Sequence, residues 1–112
     1  IVGSALDPQL GHGLMVGLGG VWVEVMKDVA FAYPPVGRQE VLDLLNSLRC
    51  EPLLSGYRGK PGVDKQAMVQ LLERLGAMLL ALPGIAEIDL NPVIYDPAKG
   101  AFIAADVRIK KG

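Results

Sequence analysis

Cysteine, histidine and tryptophan each occur once in this chain, and the aromatics together supply only 5% of it. The single cysteine, Cys50, excludes a disulfide framework and fits a reducing compartment. No block of one charge exists either. Eleven Lys and Arg against twelve Asp and Glu leave a net charge of −1 with the histidine neutral. The longest basic run is Lys110-Lys111, so the footprint of a nucleic-acid-binding surface is missing. Long hydrophobic runs are absent too. The longest, Val16 to Val23, is interrupted by glycines and falls far short of a bilayer span, and no charged segment precedes it as in a signal peptide. Neither a nucleic-acid nor a membrane partner is expected.

What the chain does have is enough apolar content for one core. Half of its 112 residues are hydrophobic, and at this length roughly two-thirds of the unfolded surface is buried on folding. The first residue is Ile1 rather than methionine, and the expectation is a piece of a longer protein.

Residues Ile1 to Leu6 read as a strand ended by the turn signal Asp7-Pro8. Gly11-His12-Gly13 continues that loop, and Leu14 to Gly17 resumes extended structure. Gly17-Leu18-Gly19-Gly20 is too glycine-rich for a helix or a strand interior. Val21 to Lys27 then alternates with a period of two and is expected to be a strand. Asp28 to Tyr33 follows as another, closed by Pro34-Pro35. Trp22 and Phe31 are expected in the core, with Cys50 semi-buried.

The pattern changes at Arg38. From there to Arg49, the apolar residues Val41, Leu44, Leu45 and Leu48 lie on one helical face, and Pro52 ends that helix. Leu53 to Gly62 reads as an irregular connector. Asp64 can cap a second helix reaching about Leu82, with Met68, Leu71, Leu72, Leu75, Met78 and Leu79 as its stripe. Ile85 to Tyr95 and Ala101 to Ile109 form a hairpin about Asp96-Pro97-Ala98-Lys99-Gly100. The order implies one α+β domain, residues 1–112, with two helices on an antiparallel sheet.

The hairpin carries the chemistry. Asp89 and Asn91 are two apart on a strand and share a face, and Asp106 falls opposite them on the returning strand. Cross-strand partners have Cβ atoms about 5 Å apart, so the three side chains can converge. Two carboxylates and an amide oxygen suit Mg²⁺, which takes oxygen ligands and bridges to phosphates. The same residues would equally serve as ordinary polar groups on a solvated sheet face.

Here the sequence resembles a known family. Glu87-Ile88-Asp89-Leu90-Asn91-Pro92 followed by Ala105-Asp106-Val107-Arg108-Ile109 looks like the end of the ATP-grasp domain of ADP-forming acetyl-CoA synthetases. It is more distantly similar to the succinyl-CoA synthetase β subunit. Asp7-Pro8-Gln9 and Gly17-Leu18-Gly19-Gly20, the latter continued by Val23 to Phe31, match the family's central segment. Pro52-Leu53-Leu54-Ser55-Gly56-Tyr57-Arg58-Gly59 matches just before the second helix.

The resemblance implies the C-terminal lobe of an ATP-grasp fold, with Mg²⁺ held by Asp89, Asn91 and Asp106 against the phosphates of ATP or ADP. It brings Gly17, Gly19 and Gly20 close to those phosphates, although without it the loop reads as a tight turn or bulge. Glu24 aligns with a family carboxylate but also fits an exposed strand position. Arg58 can neutralise a phosphate or stand as a surface loop residue. His12 is not the family's phosphohistidine, which lies in segments absent here, and it stands where relatives usually have proline.

The implied parent is a cytoplasmic enzyme that converts acid, CoA and ATP to acyl-CoA, ADP and phosphate through a phosphohistidine. Its CoA-binding and phosphohistidine domains would be this chain's partners. Alone, the chain is expected to be inactive and to self-associate through the face left by a missing lobe. Two rival readings stay open: a regulatory module fused to a GNAT-type protein lysine acetyltransferase, and a non-catalytic interaction domain.

Overall fold

The computed structural model describes residues 1–7 and 11–112. Its main sheet is antiparallel and five-stranded, in the order β3-β2-β1-β6-β9. The strands are β1 (Val2–Asp7), β2 (Gly11–Gly17), β3 (Val29–Ala32), β6 (Ile85–Leu90) and β9 (Val107–Lys111). Strand alternation sends Val2, Leu14, Val16, Ala30, Ala32, Ile88 and Leu90 to one face, where all are buried. Two helices cover that face. In α2 (Arg38–Ser47) the buried residues are Val41 and Leu45. In α4 (Lys65–Ala81) they include Met68, Leu72, Leu75 and Leu79. Both stripes are the ones the spacing predicts. Asp64 caps α4 as expected, its side chain accepting from the Gln66 N–H at 2.9 Å. The expected α+β architecture, two helices on an antiparallel sheet, is the one observed.

Several local expectations are corrected. Val21 to Lys27 is not a strand. Residues Val21–Glu24 form one helical turn, α1, because the Gly20 carbonyl accepts from the N–H groups of Val23 and Glu24 at 3.1 and 2.9 Å. A period of two over so few residues fits a turn as well as a strand, and the glycines ahead of it decided the matter. His12 lies in β2 opposite Leu6 rather than in a loop. Pro8, half of the expected turn, lies outside the described residues, as does Gln9.

Pro52 does not terminate α2, which stops at Ser47. It sits in the first turn of a further helix, α3 (Glu51–Ser55), where its missing N–H costs nothing. The expected irregular connector is thus α3 followed by a small ribbon, β4 (Gly56–Tyr57) with β5 (Lys60–Pro61).

The C-terminal hairpin is broken in two. Its tip, β7 (Val93–Asp96) with β8 (Ala101–Ala104), is a separate ribbon, while β6 and β9 pair within the main sheet. The break falls at Pro92, which has no N–H to extend a ladder.

Candidate functional site

Neither α2 nor α4 covers the second face of the sheet. Along it lies a shallow groove of about 900 Å³. Its floor is nearly bare of side chains, because Gly3, Ala5 and Gly13 fall at its centre. A methyl group at Gly13 would come within 3.1 Å of the Tyr33 ring. One flank is apolar and aromatic: Met15, Phe31 and Tyr33. The other is charged and polar: Glu87, Asp89, Asn91, Arg108 and Lys110. Phe31 is 57% exposed, which corrects its expected place in the core. Odd-numbered β3 residues face away from the helices, a parity fixed only by the pairing of β3 with β2. The side chain of Trp22 lies outside what the structure describes.

The register defines the polar flank. Asp89 stands opposite Arg108 and Leu90 opposite Val107, and the Asn91 N–H donates to the Asp106 carbonyl at 3.2 Å. Leu90 is buried beneath the helices, so Asp89 and Asn91, one residue to either side, take the open face. Asp106 lies in the bend before β9 and, unlike Asp89 and Asn91, is not among the residues that line the groove. Its Oδ2 is 3.6 Å from Nε of Arg108, which turns the carboxylate to the open side. Asp89, Asn91 and Asp106 thus share one face at one corner of the sheet. Among the described residues no three His, Cys, Asp or Glu side chains gather as a metal cluster. Any cation held at this corner would therefore draw on the amide and on non-protein oxygens as well as on the carboxylates. That donor set fits Mg²⁺, which keeps waters and phosphate oxygens in its shell.

The glycine loop opens at the same end. Gly17 donates its N–H to the Ile1 carbonyl at 3.0 Å, which puts it in the row that continues through Asn91 to Asp106. Strands are about 4.8 Å apart, so the loop begins roughly 10 Å from Asn91. Gly19 and Gly20 adopt φ of +95° and +55°, and an added Cβ at Gly17 would lie 2.9 Å from the Asp28 carbonyl. These features already require glycine, whatever else the loop does. Glu24 ends α1 and is exposed. Arg58 sits in the turn of the β4–β5 ribbon with its guanidinium 5.4 Å from the centre of the Tyr57 ring. It is not among the residues that line the groove.

Sequence reasoning missed one buried anchor behind the loop. Asp28 is 5% exposed, and its two carboxylate oxygens accept from the N–H groups of Arg49 and Cys50 at 2.7 and 2.8 Å. Burial alone would raise its pKa, but these donors outweigh that and hold it below the ordinary carboxylate value. Cys50 is fully buried rather than semi-buried. Burial, with Asp28 beside it, pushes its thiol up to about 11. The contact ties the segment after the glycine loop to the junction of α2 and α3.

A sequence profile of the ATP-grasp domain matches residues 1–110, and the chain belongs to that family. Within it, the relatives include ADP-forming CoA ligases. The chain is 38% identical over 109 residues to the beta subunit of acetate–CoA ligase (ADP-forming) I of Pyrococcus furiosus, covering 97% of this chain and 46% of that subunit. It is 39% identical over 110 residues to 4-hydroxybutyrate–CoA ligase (ADP-forming) of Nitrosopumilus maritimus, covering 97% of this chain and 16% of that one.

Among solved structures it resembles the dinucleotide forming acetyl-coenzyme A synthetase 1 of Candidatus Korarchaeum cryptofilum. That protein was captured with coenzyme A and Mg-AMPPCP, its phosphohistidine segment pointing towards the nucleotide binding site. The TM-score is 0.91 at 38% identity, with 99% of this chain and 51% of that chain covered. The chain spans about half the length of the Pyrococcus subunit.

Proposed function

We propose that this chain is the C-terminal ATP-grasp lobe of an ADP-forming acyl-CoA synthetase, and that its open sheet face is one wall of the Mg-nucleotide site. The observation that carries this reading is the row at the sheet corner, where Asp89, Asn91 and Asp106 share a face. A groove with an aromatic flank and a charged flank suits a ligand with a flat apolar end and an anionic end, as a nucleotide has.

In this reading Asp89, Asn91 and Asp106 hold Mg²⁺, which when bound would supply charge neutralisation at the phosphates. The remaining work belongs to the chain. The sheet fixes the backbone spacing of the three residues before ligand arrives, so only their side chains are left to order on binding. Gly17, Gly19 and Gly20 let phosphate approach the backbone, and Glu24 follows within one turn as a polar neighbour. Arg58 as a phosphate contact is supported by the family resemblance alone.

For the full-length protein we propose the reaction acid + CoA + ATP to acyl-CoA + ADP + phosphate, through a phosphohistidine carried on a partner domain. CoA-binding and phosphohistidine domains would complete it, and the setting is cytoplasmic. No helix among the described residues is long and apolar enough to cross a membrane. The relatives named above are CoA ligases and a synthetase, which favours this reading over an acetyltransferase-linked module or a non-catalytic domain.

The test is calorimetric titration of Mg-ADP into the full-length protein and its Asp106→Ala variant. The variant should bind at least about tenfold more weakly, a charge-assisted contact being lost. Equal affinity would remove Asp106 from the metal site.

A further inference from the structure

The basic residues of the polar flank, Arg108 and Lys110, have no part in that assignment. Arg108 stands directly across β6 from Asp89, and its Nε is 3.6 Å from the Asp106 carboxylate. The guanidinium is thus near one carboxylate assigned above to the metal and on the strand position opposite the other. Its side chain is 80% exposed and that of Asp106 is 55% exposed, so packing fixes neither. Lys110, the next basic residue on this face, stands opposite Glu87 and has an acidic neighbour of its own.

Two carboxylates diagonal to each other at one corner of a sheet repel, and a positive neighbour offsets that repulsion. An exposed Arg at this separation is a weak one, screened by water and readily displaced. A divalent cation brings twice the charge and would take the same oxygens. The displaced guanidinium would then be next to whatever anion the cation carries, and its planar fork matches phosphate oxygens.

We propose that Arg108 is a counter-ion that changes partners. Without nucleotide it pairs with Asp106; with Mg-nucleotide bound it yields that carboxylate and donates to a phosphate oxygen. This rests on the metal and nucleotide reading above and adds to it a residue that competes with the free metal yet assists the metal–nucleotide complex.

The two effects have opposite signs, which makes them separable. Mn²⁺ alone and Mg-ADP are titrated separately into the full-length protein, its Arg108→Gln and Arg108→Lys variants, and Asp106→Ala. Arg108→Gln should bind Mn²⁺ about two- to fivefold more tightly than the unmodified protein, the scale of one exposed charge. It should bind Mg-ADP about tenfold or more weakly. Arg108→Lys keeps the charge but loses the fork, so Mn²⁺ affinity should return to the original value and Mg-ADP affinity only in part. A residue that merely braced β9 would move both affinities together or neither, and either result overturns the exchange. If Asp106→Ala leaves Mn²⁺ binding unchanged, the metal assignment itself has failed, and the exchange falls with it.

Discussion

The Asn91 N–H reaches the Asp106 carbonyl at 3.2 Å, immediately before Pro92 stops the ladder. This main-chain contact sets the spacing of the amide and the carboxylate, so their side chains do not have to find each other across a loose hairpin. Asn91→Ala leaves the N–H in place and alters an exposed position. Stability of the full-length protein should change by no more than about 0.5 kcal/mol, while Mg-dependent ADP affinity falls about tenfold. Unchanged affinity in a parallel titration would exclude the amide as a ligand.

The glycine loop can be separated into packing and binding contributions. Gly17→Ala drives a methyl group to 2.9 Å from the Asp28 carbonyl and 3.0 Å from Val23 Cγ2. The cost should be about 1–3 kcal/mol by urea denaturation. Gly20→Ala meets no atom within 4 Å but must hold φ at +55°, at about 1 kcal/mol. Should Gly20→Ala lose nucleotide affinity while remaining folded, phosphate approach is the cause. Intact affinity would make the loop a turn and nothing more.

Asp28 is expected to be a stability residue. Asp28→Ala leaves the N–H groups of Arg49 and Cys50 without their acceptor in a buried setting. A loss of about 2–5 kcal/mol is expected at neutral pH. The carboxylate is depressed on folding, so its contribution is complete above the unfolded value of about 3.9 and fades as pH falls through the lower folded value. Denaturation midpoints measured from pH 6 to pH 2 should therefore drop less steeply in Asp28→Asn than in the unmodified protein. Parallel profiles would refute the linkage.

Cys50 should be inert. With its thiol at about 11 and its side chain buried, little thiolate forms at pH 8 and reagents cannot reach it. Ellman's reagent should label it at a rate limited by unfolding, and promptly in 6 M guanidinium. Rapid labelling of folded protein would mean that the α2–α3 junction opens readily.

The open face should make the isolated chain associate. Phe31 and Tyr33 on the groove are each at least 40% exposed. Residues 1–112 expressed alone should elute above monomer size in gel filtration, and Phe31→Ser should shift the elution towards monomer. A monomer at high concentration, with or without the substitution, would show that this face tolerates water.

Helices α2 and α4 were legible because one stripe of apolar residues at helical spacing leaves no second solution, and Asp64 marked the start of α4. The spacing of Asp89 and Asn91 likewise put them on one face, and both line the groove, while a cation shared with Asp106 is the proposal that the titration tests. What could not be read depended on partners distant in sequence. Val21 to Glu24 alternates like a strand, yet the Gly20 carbonyl folds it into a turn. Phe31 reads as core, but the pairing of β3 with β2 points it outwards. Asp28 looks like any polar residue at a strand start until the chain returns 21 residues later with two bare N–H groups.

By itself, then, the sequence determined local periodicity, the helix start at Asp64, the position of the final turn and the residue types available for a cation. The tertiary structure alone decided which face of the sheet the helices cover, and hence that Asp89, Asn91, Arg108 and Phe31 look into one groove. The reason is physical. Alternation along a strand defines two faces but does not label them, and only packing against α2 and α4 selects the face that water, or a ligand, will meet.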